Sequence, residues 1–165
     1  MILICVGIVI LSGVAGSIYA SKYINKFKFF NELVDFCSFL QININFNQDK
    51  LPLLFNKYCD NKKSQFKLII KQFSDLKYIK RLDDLTIKQK LILPDYLINE
   101  QSESILTFLL RLGEVDSFNQ INSIENYKLK FNNYKELALT DKNKNANLIY
   151  KLSIGIGLVI AIIIF

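Results

Sequence analysis

The sequence predicts an all-α fold, a helical bundle held between an N-terminal and a C-terminal transmembrane helix. Three observations support this prediction. All of the 21 basic and 15 acidic residues lie between Lys22 and Lys151, so both ends of the 165-residue chain are uncharged. Apolar residues in the interior recur at steps of three and four, which is typical of amphipathic helices. The Asn-Gly and Asp-Gly dipeptides that favour hairpin turns do not occur in the sequence.

The N-terminal segment, residues 1–24, is predicted to be a transmembrane helix. Met1–Ser21 carries no charge, and about 20 apolar residues cross a bilayer. A secretory signal peptide is the alternative. It requires positive charge before the apolar core and small residues at a cleavage site, and no lysine or arginine precedes this apolar core. Lys22, Lys26 and Lys28 follow the segment, so the positive-inside rule places the N-terminus outside and residue 22 onward in the cytoplasm. A stripe of small residues that permits close helix packing is formed by Ser12, Gly16 and Ala20.

The C-terminal segment, residues 148–165, is predicted to be a second transmembrane helix. Its uncharged part, Leu152–Phe165, has 14 residues and would reach about 21 Å. Adding residues 148–151, with Lys151 extending its ammonium to the headgroups, makes the helix long enough for a thin bilayer. A hydrophobic tail buried in a soluble core is the alternative, although the segment has no polar face.

Residues 25–147 are predicted to form a helical domain in the cytoplasm. Its first helix continues from the membrane segment, and its last helix runs into the second one. The predicted helices are Phe27–Ile44, one capped by Asp49 with Pro52 in its first turn, one around Phe66–Phe73, Leu82–Leu93 closed before Pro94, one opened by Ser102 or Ser104 and reaching Leu112, and a long one capped by Asp116.

The end of the fifth predicted helix is marked by a glycine. Gly113 suits the left-handed position that ends a helix, and no proline or glycine follows before Gly155. The structural interpretation of Gly113 and Asp116, a helix stop and a cap, is preferred over direct contact with a partner. A heptad-like seam that favours packing on the same bundle over dimerisation is formed by Ile124, Tyr127, Phe131, Tyr134 and Ala138.

The residue inventory argues against catalysis. The chain has no histidine, which removes the usual general base of hydrolases and the commonest transition-metal ligand. Its three cysteines form no Cys-x-x-Cys pair, and the Ser64 to Lys67 and Ser74 to Lys77 tetrads lack the other motifs of penicillin-recognising enzymes. No phosphate-binding loop is present, so any energy source is a partner. We therefore predict no catalytic, cofactor or metal site, with a membrane-bound enzyme that uses no histidine as the alternative.

The net charge of +6 does not indicate a nucleic-acid binder, because acidic and basic residues are mixed along the chain. Basic residues beside membrane segments have a simpler explanation in membrane topology. We predict no nucleic-acid partner.

The order of the motifs resembles the stage III sporulation protein AB family of endospore-forming bacteria over nearly the whole chain. The first motif is the stretch Leu40–Phe46 followed by Leu51-Pro52, in which Asn43 stands where the family has an acid. The second consists of Phe108, Leu112, Gly113, Asp116 and Gln120, with Leu109 in place of a usual glycine. The third, at the membrane, consists of Tyr150, Lys151, Gly155 and Gly157.

The resemblance implies a fold similar to the cytoplasmic domains of type II secretion and type IV pilus platform proteins. It also implies a role in the channel complex that joins the mother cell to the forespore. The expected location is the mother-cell membrane around the forespore, and the expected partners are the stage III AA ATPase and other channel-complex proteins. A homo-oligomer is possible, and a platform protein of another secretion or pilus system is the alternative. The candidate contact or structural residues are Leu112, Gly113, Asp116 and Gln120, and the membrane-border residues are Lys22, Tyr150, Lys151, Gly155 and Gly157.

Overall fold

The computed structural model describes residues 2–46, 50–60, 64–114 and 117–164, and every regular element among them is helical. This confirms the predicted all-α class. The helices are α1 Ile2–Phe46, α2 Leu51–Cys59, α3 Gln65–Ser74, α4 Asp84–Lys90, α5 Asn99–Arg111, α6 Ser117–Asp141 and α7 Asn147–Ile164. Two π-helical turns, Asp75–Ile79 and Lys142–Ala146, follow α3 and α6.

The described chain divides into two compact units. The end unit combines Met1–Lys28 with Lys135–Phe165, and the central unit is Phe29–Tyr134. Both predicted membrane segments therefore belong to the end unit, which also contains the second π-helical turn.

Phenylalanine rings form much of the core of the central unit. Phe36 contacts Phe66 with ring centroids 5.7 Å apart, and Phe108 meets Phe131 edge to face at 5.3 Å. Such edge-to-face pairs stabilise by about 0.5–1.5 kcal/mol beyond the apolar area that they bury. The fully buried rings are Phe30, Phe36, Phe55, Phe66, Phe73, Phe108 and Phe131.

The two long helical predictions are confirmed. Phe27–Ile44 lies inside the uninterrupted helix α1, and its apolar face is buried at Phe30, Leu33, Cys37, Leu40 and Ile44. The part of the α6 seam that belongs to the central unit packs within that unit, because Tyr134 contacts Phe30 with ring centroids 5.5 Å apart. Ala138, the last residue of the seam, belongs to the end unit. The only element not foreseen in this stretch, among the described residues, is the π-helical turn between α6 and α7.

Helix starts depend on local caps. Ser64 caps α3 by accepting a hydrogen bond from the Lys67 backbone N–H at 3.3 Å, and Asp83 caps α4 in the same way through the Thr86 N–H at 3.1 Å. Pro52 lies in the first turn of α2, where its missing N–H leaves no helical hydrogen bond unmade. The predicted caps Asp49 and Asp116 lie outside the described residues.

Two predicted boundaries are wrong. The fifth helix begins at Asn99 rather than after Ser102 or Ser104, because the Gln101 side chain accepts a hydrogen bond from the Ile98 backbone N–H at 3.3 Å. The fourth helix covers only Asp84–Lys90 of the predicted Leu82–Leu93. Its extent is set by the Asp83 cap at one end and by the extended backbone of Leu91 at the other.

Candidate functional site

An open cleft of about 420 Å³ in the central unit is the candidate contact site. It lies where the start of α2, the first π-helical turn, the start of α4 and the end of α5 meet. Its lining residues are Lys50, Leu51, Pro52, Lys77, Tyr78, Asp84, Leu112, Gly113 and Glu114. We call this feature the Gly113 cleft.

Gly113 shapes the cleft through its backbone. Its φ of +88° is left-handed, and a Cβ built on it would lie 2.9 Å from Leu51 Cδ1. Only glycine adopts this conformation without steric cost, and a side chain at this position would displace the Leu51 methyl group. The predicted left-handed helix stop at Gly113 is confirmed, and this stop brings the end of α5 onto the first turn of α2.

The first π-helical turn supplies a positive and a phenolic group to the cleft. Lys80 N–H donates to the Asp75 carbonyl at 2.9 Å, five residues back along the chain, which widens the turn relative to an α-helix. Lys77 donates its Nζ to the Leu110 carbonyl oxygen. The Tyr78 hydroxyl is buried without a hydrogen-bond partner among the described residues, and burial raises the pKa of this phenol to about 12.

Charges of both signs surround the apolar floor of the cleft. Burial lowers the pKa of Lys77, and the nearby carboxylates of Asp84 and Glu114 partly offset that effect. Leu51, Pro52 and Leu112 supply apolar surface between these groups. Apolar surface flanked by a few oriented polar groups suits the binding of a polypeptide segment. In the part of the chain that the structure describes, no three acidic, cysteine or histidine residues are grouped to hold a metal ion.

The predicted contact residues have different environments. Leu112 is buried and Gly113 is exposed, and both line the Gly113 cleft. Gln120 does not line it and is buried on α6, where its Nε2 has no hydrogen-bond partner among the described residues. Asp116 lies outside the described residues.

The predicted membrane-border residues all belong to the end unit. Lys22, Tyr150 and Lys151 are exposed, and the Tyr150 carbonyl accepts a hydrogen bond from Ser153 Oγ at 2.8 Å. Gly155 is open, since a Cβ built there would meet no atom within 4 Å. Gly157 is buried, and its Cβ would lie 2.8 Å from the Ser12 Cβ.

Close packing of α1 on α7 explains the burial of Gly157. The Ser12 hydroxyl donates to the Ser153 carbonyl oxygen, and a Cβ on Gly16 would lie 2.5 Å from the Ser153 Cβ. The stripe predicted on α1 therefore is a packing surface. Its counterpart on α7, formed by Ser153, Gly157 and Ala161, was missed although its spacing of four residues is visible in the sequence.

The outward faces of these two helices are apolar. By length and composition, helices within Val6–Asn45 and Phe118–Ile164 could cross a membrane. Each contains an apolar stretch of 18 residues, of which only 11% is buried. Ile162 and Ile163 are 75% and 77% exposed, so the C-terminal segment is not enclosed in a core of this chain.

Comparison with known proteins identifies the family. No curated protein and no solved structure matches the chain, so the expected likeness to platform-protein domains stays a prediction. The family model of stage III sporulation protein AB matches residues 1–165. This family has no known catalytic activity, and membership implies a role in sporulation. The chain belongs to the stage III sporulation protein AB family.

Proposed function

We propose that this protein is a two-span membrane scaffold of the mother cell-to-forespore channel complex, and that its Gly113 cleft contacts the stage III AA ATPase. The observation that carries the proposal is the meeting of two family-like motifs in one cleft. Leu51-Pro52 and Leu112-Gly113 lie about sixty positions apart in the sequence, yet they line the same opening. The scaffold itself performs no catalysis, and energy comes from its partner.

Membrane anchoring is supported by the end unit. Its helices expose apolar side chains such as Leu11 at 71% and Ile18 at 62%. Exposed apolar surface on this scale is unfavourable in water and favourable in lipid. The lysines that follow the first span and precede the second favour a cytoplasmic central unit, where a soluble ATPase would reach it.

The Gly113 cleft suits partner contact because its rim is accessible and its floor contains a buried apolar side chain. Lys50 and Glu114 are exposed at the rim, whereas Leu112 is only 3% exposed. Rim charges steer and orient a partner, and buried apolar groups at the centre of an interface supply most of the affinity.

Photo-crosslinking in the sporulating host tests the contact. A benzophenone amino acid at Glu114 or Lys50 is expected to capture the stage III AA ATPase. The matched control carries it at Glu103, which is exposed on α5 and does not line the cleft. Capture of the ATPase from Glu103 but from neither rim position would place the contact elsewhere and contradict the assignment.

Alkaline carbonate extraction of host membranes tests the anchoring separately. A protein with two spans stays in the membrane pellet, whereas a chain held by partners alone is released to the supernatant. Loss of residues 1–24 from the mature protein would instead identify the first segment as a cleaved signal peptide.

A further inference from the structure

The exposed face of α7 carries an apolar groove of about 370 Å³ with a lysine at one end. Its lining residues are Lys151, Leu152, Gly155, Ile156, Val159 and Ile160. We call this feature the α7 groove. Gly155 opens it, because a Cβ at that position would meet no atom within 4 Å.

The α7 groove faces away from the packing surface on α1. Gly155 and Gly157 are about 200° apart around the helix axis, and Gly157 packs against Ser12. Gly157 is thus already packed against α1, whereas Gly155 lies in the groove. The groove walls are larger side chains that stay exposed, Ile156 at 59% and Val159 at 58%.

The dimensions of the α7 groove match one leaflet of a bilayer. From Lys151 to Ile160 the helix rises about 14 Å, and half of a hydrocarbon core is about 15 Å thick. With the Lys151 ammonium at the headgroup level, the apolar walls reach to near the bilayer midplane. An amphiphile with one charged end and a hydrocarbon chain has the same arrangement.

The net charge of the chain is concentrated in the same unit. Residues 1–28 and 135–165 contain seven lysines and two acidic residues, whereas residues 29–134 contain fourteen basic and thirteen acidic ones. The end unit thus has a net charge of +5 out of the total of +6. This charge borders the uncharged segments, where it attracts anionic headgroups.

We propose that the α7 groove binds one anionic phospholipid. Its phosphate accepts a hydrogen bond from the Lys151 ammonium, and one acyl chain lies along Gly155, Ile156 and Val159. The proposal rests on the membrane insertion argued above. Charge complementarity favours an anionic headgroup. The space left by the missing side chain of Gly155, which we call the notch, determines where the acyl chain lies.

Native mass spectrometry of the full-length protein, released from nanodiscs, tests the site. The probes are phosphatidylglycerol and phosphatidylcholine with identical acyl chains. We expect one retained phosphatidylglycerol and an apparent affinity about fivefold lower in Lys151→Gln, the change that corresponds to one lysine at a membrane surface. Gly155→Leu fills the notch and should abolish retention.

Matched controls separate this site from general effects. Lys144→Gln removes an exposed lysine of the same unit that does not line the groove. Gly7→Leu adds the same side chain at another open position. Both variants should retain phosphatidylglycerol as the unaltered protein does.

Three results would overturn the lipid site. The first is equal retention of the two lipids, and the second is an equal loss of phosphatidylglycerol affinity in Lys144→Gln and Lys151→Gln. The third is that Gly155→Leu loses a co-purifying membrane protein rather than lipid, which would assign the groove to a partner helix. Carbonate extraction distinguishes the underlying failure. A protein that stays in the membrane but shows no lipid preference contradicts only the lipid site, whereas a protein released by carbonate contradicts the proposed anchoring.

Discussion

Replacing Gly113 with alanine is expected to destabilise the central unit by about 1–2 kcal/mol. The backbone φ of +88° costs an L-residue about that amount. The new Cβ would also approach Leu51 Cδ1 to 2.9 Å, but the end of a half-buried leucine side chain can shift by a few tenths of an ångström. The backbone conformation therefore dominates the expected loss.

Thermal unfolding of the purified full-length protein in detergent micelles measures this loss. The chain has no tryptophan, so far-ultraviolet circular dichroism is a suitable signal. In a unit of about a hundred residues, 1–2 kcal/mol lowers the Tm by roughly 5–10 °C. A Tm within 1 °C of the unaltered protein would refute the argument from backbone conformation.

Two further variants test whether the backbone conformation of Gly113 or its contact with Leu51 causes the loss of stability. Gly155→Ala changes an open helical position and should not lower the Tm, because alanine favours helix over glycine. Gly113→Asn keeps a residue type that tolerates the left-handed region, so it should lose less than Gly113→Ala. Equal losses in the two Gly113 variants would assign the effect to the contact with Leu51 instead.

Three other properties follow from the structure. Cys37 is fully buried, and desolvation raises its pKa to about 12, so iodoacetamide should alkylate half-buried Cys59 first and Cys37 only on unfolding. Mass spectrometry of a Cys5→Ser protein measures the two alkylation rates. Equal rates would contradict the burial of Cys37. Hydrogen bonds from Thr86 lower the pKa of the Asp83 carboxyl, so the stability contributed by the Asp83 cap is present above the unfolded pKa of 3.8 and is lost as pH falls through the lower folded pKa. Asp83→Asn should flatten that part of the acid unfolding profile. An unchanged profile would exclude the Asp83 cap as the source of the pH dependence. A Cβ on Gly16 would lie 2.5 Å from the Ser153 Cβ, so Gly16→Leu overpacks the contact between α1 and α7 and should destabilise the end unit by about 1–3 kcal/mol. Gly7→Leu, at an open position of the same helix, is the control, and an equal Tm for the two variants in detergent micelles would contradict the packing of α1 on α7.

Local signals in the sequence were sufficient for most of the helical architecture. Steps of three and four in the apolar residues predicted the buried face of α1 and the seam of α6, because burial repeats with the helix turn. A single glycine predicted the left-handed stop at Gly113, because that conformation depends on the residue itself. These features require no knowledge of which segments meet.

Features that depend on tertiary contacts were not predictable. The π-helical turn at Asp75–Ile79 has no sequence signature, and it determines where Lys77 and Tyr78 lie. Gly155 and Gly157 look equivalent in the sequence, but only one of them packs against α1. The Gly113 cleft likewise requires knowing that α2 and the end of α5 are neighbours.

Deletion of the gene in its sporulating host is the most direct test of a membrane scaffold of the channel complex. The measurement is the count of heat-resistant spores, with microscopy of engulfed forespores and complementation by the intact gene. We predict arrest after engulfment with small or collapsing forespores, loss of the stage III AA ATPase from the mother-cell membrane around the forespore, and restoration by the intact gene. Normal numbers of heat-resistant spores in the deletion strain would contradict the proposed role.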